Sequence, residues 1–172
     1  MNDRYPVSQD SVLLASTLGA YTGDSCLEIG VGGGSIIGEL SRRFGLAVGT
    51  DTSPPGGSGR VNLLRADRAT CFRDECFDLV AFNPPYLPSA GVSDTAVDGG
   101  ADGVDVPLDF LREALRVVRR DGRVVFLLSS YNPIDKVEEE CARAGFVVEK
   151  VTEKSLFYET LSVYEARHRP RS

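Results

Sequence analysis

Histidine is nearly absent from this 172-residue chain, where His168 stands alone, and the four cysteines Cys26, Cys71, Cys76 and Cys141 show no C-x-x-C spacing. So few soft or imidazole ligands argue against a bound metal, and the cysteines read as small buried apolar residues in a reducing compartment. No apolar stretch reaches transmembrane length, and no positively charged, apolar leader stands at the N-terminus. The expectation is a cytoplasmic protein with no membrane contact. Lysine is also scarce, with Lys136, Lys150 and Lys154 against 16 arginines, and the formal net charge is −6. Nonspecific nucleic-acid binding depends on Lys and Arg neutralising phosphates, so an acidic balance disfavours a broad phosphate-tracking surface. What remains is an ordinary globular composition, 42% hydrophobic, which at this length suits one domain spanning residues 1–172.

Strand and helix patterns alternate along the chain, without repeats. Residues 8–20 begin with the cap-type Ser8 and carry Val12, Leu13, Ala15, Ser16 and Leu18 at helical spacing, so a first helix is expected there. Strands are predicted over 25–30, 46–51, 61–66, 77–82 and 123–129, and helices over 34–44, 107–119 and 133–144, with Asp121-Gly122 closing the second of these. Residues 146–152 and 156–166 read as two strands with a tight connection, hence antiparallel to each other. Between Tyr86 and Val104 lies a long Gly- and Asp-rich loop, a length that is usually functional or mobile. The predicted fold is α/β, a mostly parallel sheet with helices on both faces and an antiparallel C-terminal hairpin.

Two motifs carry the chemistry. Glu28-Ile29-Gly30-Val31-Gly32-Gly33-Gly34 follows a strand and opens a helix, the context that raises a glycine motif above noise. Glycines allow a tight turn and a close ligand approach. The motif lacks the G-x-G-x-x-G spacing with a following basic group, so it does not demand a pyrophosphate. Glu28 at its head suits a positive amino group. Asp51, at the end of the next strand, is placed to take both hydroxyls of a ribose, and Asp67, after the third strand, suits an exocyclic adenine amine. The bland reading of Asp67 is a solvated turn residue beside Arg65 and Arg68.

The second motif, Asn83-Pro84-Pro85-Tyr86, follows the apolar run Phe77–Phe82 and should sit at the carboxyl end of a strand, where open α/β sheets place their ligands. Asn83 offers a side-chain carbonyl acceptor, Pro84 lacks an N–H and leaves its carbonyl to point outward, and Tyr86 offers a flat face. Such a tetrapeptide suits a planar amide or amino nitrogen. Its bland reading is a proline-rich turn closing a buried strand.

With EIGVGGG, Asp51, Asp67 and NPPY in this order, the chain resembles the class I S-adenosylmethionine-dependent methyltransferases that modify planar nitrogen. The segment YPVSQDSVLL, the YLP that continues from the asparagine motif and the GGADG at 99–103 resemble the archaeal and eukaryotic branch of the release-factor glutamine methyltransferases, relatives of HemK. The resemblance implies a Rossmann-like, seven-stranded sheet in the order 3-2-1-4-5-7-6, S-adenosylmethionine as cofactor, and methylation of the glutamine in the GGQ loop of a termination factor. It implies that Glu28, Gly30 and Gly32 hold the methionine part, Asp51 the ribose, and Asp67 and Arg68 the adenine. Ser8, Asp10 and Ser11 match the N-terminal segment that folds over the cofactor site, while Gln9 departs from the usual acidic residue. Asn83 would touch both cofactor and substrate, acting with Pro84 and Tyr86 as the catalytic group.

One spacing departs from the expected pattern. Only nine residues separate Asp51 from Val61, whereas a parallel crossover normally needs a dozen or more and a helix. Apolar sheet surface near Val48, Val61 and Leu63 is therefore expected to lie uncovered at an edge strand, an aggregation liability. The resemblance implies a cover, a small zinc-binding activator protein docking along the edge near Val61–Ala66 by strand addition. Asp94, Asp98, Asp102 and Asp105 would either receive a basic substrate segment or form a solvated loop. Two other enzyme readings remain: methylation of an adenine amine in nucleic acid, which would use the same NPPY geometry on a flipped base, and methylation of a protein lysine. A third reading is a cofactor-binding scaffold without catalysis.

Overall fold

The computed structural model describes residues 8–54, 60–85 and 105–170. Helix α1 (Gln9–Leu18) leads into β1 (Gly23–Ile29), α2 (Ser35–Leu40), β2 (Phe44–Asp51), β3 (Val61–Arg65) and β4 (Phe77–Phe82). Then follow α3 (Asp105–Val117), β5 (Val118–Ser129), α4 (Ile134–Arg143), β6 (Phe146–Ser155) and β7 (Thr160–His168). The strands form one seven-stranded sheet in the expected order, β3-β2-β1-β4-β5-β7-β6. β3, β2, β1, β4 and β5 run parallel, and β7 is antiparallel to both β5 and β6.

Side-chain alternation along the strands divides the core into two layers. On one face, Cys26, Leu79, Ala81, Val125 and Leu127 pack with Leu14 and Leu18 of α1 and Ile36, Ile37 and Leu40 of α2. On the other, Leu27, Ile29, Val80, Phe82 and Phe126 pack with Leu111 and Leu115 of α3 and Val137 and Cys141 of α4. Helices thus cover both faces of a sheet whose central strands are apolar on both sides. Phe82 stacks on Phe126 at 5.1 Å between centroids and meets Phe110 of α3 at 6.0 Å. These contacts fix the carboxyl end of β4, where Asn83 begins.

Several sequence expectations are corrected. In α1 the buried residues are Leu14 and Leu18, one turn apart, while Val12 is 49% exposed and Ser16 faces solvent. Asp121-Gly122 does not end α3; the helix stops at Val117, and the dipeptide lies within β5. There the register against β4 shifts between Phe77 and Leu79, and a Cβ at residue 122 would fall 2.7 Å from the Asp78 carbonyl oxygen. Glycine serves here for close backbone approach. Helix α2 ends at Leu40 because Phe44 already belongs to β2 and is buried. The last strand starts at Thr160, after a two-residue turn in which the Leu156 N–H donates to the Glu159 carbonyl at 2.7 Å. Cys26 and Cys141 are buried, but Cys71 is exposed and Cys76 only half-buried, both in the irregular connection before β4.

The described residues between β2 and β3 contain no helix, and neither does the connection from β3 to β4, residues 66–76. Val48 is nevertheless buried, and Val61 and Leu63 are half-buried against the α2 side of the core. On β2 and β3 the exposed large apolar residues are Leu46 and Leu64, at 46% and 42%. Leu46 shares a face with Val48 by alternation, and Leu64 joins it by pairing with Thr50. That face is the α3 side, which no crossover helix reaches at the β2–β3 edge.

Candidate functional site

Four polar residues collect at the carboxyl edge of the parallel strands: Glu28 near the end of β1, Asp51 closing β2, Asp67 just past β3, and Asn83 directly after β4. Glu28 is 1% exposed. Burial pushes its carboxyl well above the ordinary carboxylate range, the Asp51 charge adds to that, and the Ile37 backbone amide works in the opposite direction. Its Oε2 has no hydrogen-bond partner.

The glycine loop beside it turns through the left-handed region, with φ of +78° at Gly30, +49° at Gly32 and +83° at Gly34. The Gly30 and Val31 N–H groups donate to the Thr50 carbonyl at 2.8 and 3.1 Å, and the Gly32 N–H donates to Asp51 Oδ2 at 3.0 Å. The amides of Gly30 and Gly32 are thus used within the protein, so any ligand contact from these two residues falls to their carbonyls. A Cβ at residues 32, 33 or 34 would meet nothing within 4 Å, whereas one at residue 30 would lie 3.0 Å from the Phe110 ring. The loop opens onto free space and is braced from behind by α3.

Asp51 Oδ1 accepts from the Ser53 N–H at 2.8 Å, so both of its oxygens are oriented by backbone donors. The Asp67 side chain is 61% exposed, with an Arg68 nitrogen 3.4 Å away. Arg68 has φ +49° and reaches Asp109 of α3 at 3.9 Å. Carboxylates and peptide carbonyls dominate this edge. That set of acceptors fits a ligand carrying an ammonium group, vicinal hydroxyls and an exocyclic amine.

Asn83 is half-buried and Pro84 buried. Asn83 Nδ2 donates to Asp10 Oδ2 at 2.9 Å, while Asn83 Oδ1 is buried without a partner. Asp10 Oδ1 accepts from the Ser11 N–H at 2.8 Å, and Ser8 Oγ donates to Ser11 Oγ at 3.1 Å. The first turn of α1 therefore meets the end of β4. Lys154 of β6 donates to Gln9 in the same turn. Sequence reasoning placed Asp10 on the cofactor side and left Gln9 without a role; the 73-residue separation between Asp10 and Asn83 has no local signature. Phe110, behind Gly30, was also not singled out. Tyr86 and the loop aspartates Asp94, Asp98 and Asp102 lie outside the described residues, as does the side chain of Asp105. Among the described residues no cluster of His, Cys, Asp and Glu could hold a metal ion, and no helix is long and apolar enough to cross a membrane.

The sheet order, the antiparallel β7 and the ligand edge define the class I methyltransferase fold. Among proteins of that fold, this chain is a homologue of enzymes named protein-glutamine N5-methyltransferases. A putative protein N5-glutamine methyltransferase of Methanocaldococcus jannaschii is 28% identical over 179 residues, covering 94% of this chain and 90% of that protein. The eRF1 methyltransferase catalytic subunit mtq2 of Schizosaccharomyces pombe is 29% identical over 94 residues, half of this chain and 41% of that protein. The solved Mtq2–Trm112 complex of E. cuniculi, described as responsible for methylation of the eRF1 termination factor, superposes with a TM-score of 0.80 at 26% identity, covering 96% of this chain and 98% of that one. No protein-family model matches the chain.

Proposed function

We propose that this chain is an S-adenosylmethionine-dependent N-methyltransferase of the glutamine side-chain amide in the GGQ motif of a translation release factor, acting as one cytoplasmic domain. The observation that carries the reading is the pair of buried acceptor atoms without partners, Glu28 Oε2 and Asn83 Oδ1. Buried acceptors are rarely left unsatisfied unless something else is to fill them. The named relatives support the choice of substrate.

Glu28, with the carbonyls of Gly30 and Gly32, would hold the amino end of S-adenosylmethionine. Asp51 would hold the ribose, Asp67 and Arg68 would flank the adenine, and Ser8 and Ser11 would close over it. When bound, the cofactor supplies an electrophilic methyl group on a sulfonium. A glutamine amide nitrogen is a weak nucleophile because its lone pair is delocalised into the carbonyl. Asn83 Oδ1 and the Pro84 carbonyl would each accept one of its N–H groups, fixing the nitrogen and stabilising the positive charge that develops on it. Tyr86 would pack on the amide plane. Positioning and aimed dipoles then carry the catalysis. No dedicated base is needed, since the methylated nitrogen is acidic enough to lose its proton to water.

We place a small zinc-binding activator on the β3 edge at Val61–Ala66. Support comes from the free edge, the exposed Leu46 and Leu64, and the partnered state of the E. cuniculi enzyme.

The test is transfer of labelled methyl to a purified release factor, with GGQ intact or its glutamine replaced, with and without the partner. Label that requires the glutamine supports the reading. Label on nucleic acid or on a lysine instead would replace it. Asn83→Ala should abolish transfer, by at least about 100-fold, with cofactor affinity retained; transfer at the wild-type rate would exclude the amide-binding mechanism.

A further inference from the structure

We infer that Asp10 is the positioning residue that sets which end of the Asn83 amide faces the acceptor substrate. This rests on the reading that Asn83 Oδ1 receives a substrate N–H. An asparagine side chain has nearly the same shape in its two flipped states, yet one presents an acceptor and the other two donors. Only the first can bind an amide N–H, and the choice must be made by a neighbour.

Asp10 is that neighbour in the described structure. It is anchored in the first turn of α1, where Oδ1 accepts the Ser11 N–H at 2.8 Å, and its other oxygen accepts Asn83 Nδ2 at 2.9 Å. An ionised carboxylate is acceptor-only, so it can satisfy two donors at once and cannot tolerate Asn83 Oδ1 turned toward it. The amide nitrogen is thereby held inward, and Oδ1 is left buried with no partner of its own. Donating a hydrogen bond from Nδ2 to a carboxylate also shifts electron density toward Oδ1 and strengthens it as an acceptor.

The two-donor arrangement makes a shape-neutral replacement informative. In Asp10→Asn the new amide has a single oxygen for two donors. If that oxygen stays on Ser11, its NH2 faces Asn83 and demands Oδ1, turning the Asn83 donors toward the substrate. If it stays on Asn83, its NH2 opposes the Ser11 N–H. Either state is worse than the carboxylate, although the side chain is the same size. The Asp10 contact thus assigns a role in substrate orientation to a residue that the sequence grouped with the cofactor.

The experiment uses the full chain, with its activator present, in wild-type, D10N, D10A and N83A forms. Cofactor affinity is read by calorimetry with S-adenosylmethionine, and the Asn83 side-chain NH2 resonances, assigned by their loss in N83A, are read by 15N NMR without substrate. Turnover is then measured on the release factor. The inference expects the Asn83 NH2 resonances to move in D10N, cofactor affinity to stay within about twofold, and kcat/KM for the protein substrate to fall about tenfold or more. Unmoved resonances, or unchanged kcat/KM in D10N, would overturn it. So would a fall in cofactor affinity that accounts for the lost turnover, which would return Asp10 to the cofactor. Failure of the function itself would look different: wild-type chain with partner would methylate no glutamine, while the resonance shift in D10N would still report the contact.

Discussion

In the proposed role, Glu28 would hold stability and ligand binding in opposition. Its carboxyl is raised by burial, so the fold prefers it protonated. Its contribution to stability is therefore complete below the unfolded carboxylate range and is lost as pH rises from there through its folded value. Glu28→Gln keeps the shape and removes that loss. The cofactor-free variant should melt about 2–8 °C above wild type near pH 7.5, with the two curves converging as the pH falls toward 4. The same variant should show no thermal shift with S-adenosylmethionine. Scanning calorimetry across this range checks both expectations, and a variant that melts lower than wild type at neutral pH would contradict them. The position and acidity of Glu28 were legible in sequence because a glycine run after a strand has one common use. The link from Asp10 to Asn83 was not, since nothing local marks a contact across 73 residues.

At the scale of elements, the connection from β3 to β4 has no helix and relies on one arginine. From α3, Arg116 donates to the Ala69 and Phe72 carbonyls at 3.0 and 2.8 Å and pairs with Asp74 and Glu113, each at 2.8 Å. Its planar fork meets four acceptors in fixed directions, which an ammonium cannot match. Arg116→Lys should cost about 1–3 kcal/mol in urea unfolding, and Arg116→Ala at least as much. A loss within experimental error for R116K would show that charge alone suffices. The antiparallel ending could be read from alternating patterns and a tight connection, and the short spacing after β2 pointed to a crossover without a helix; the strand order came only from the family resemblance. Helix ends could not: Asp121-Gly122 looks like a helix stop, but close packing of β5 on the Asp78 backbone sets its use. The inward face of α1 was also misread, because Val12 and Leu13 beside Leu14 leave the helical phase ambiguous until tertiary contacts choose it.

The whole molecule is an acidic chain with one incomplete side. Among the described residues neither crossover supplies a helix beside the exposed Leu46 and Leu64, and β3 has a hydrogen-bonding neighbour on one side only. A partner that binds the folded state stabilises it by mass action. The melting temperature should therefore rise with added activator protein and keep rising with its concentration. Replacing Leu46 and Leu64 together by Lys should make the isolated chain more soluble and weaken the partner about tenfold or more. Light scattering and titration calorimetry would separate the two effects; unchanged affinity would move the docking surface elsewhere.

The order β5-β7-β6 has a further consequence. β6 is made before the strand that lies between it and β5, so during synthesis it has no sheet to join until β7 emerges from the ribosome. Lys154, which braces the first turn of α1 through Gln9, sits on that waiting strand. The turn carrying Asp10 is thus steadied by one of the last pieces to arrive, and its contact with Asn83 gains that support only after translation has passed β7.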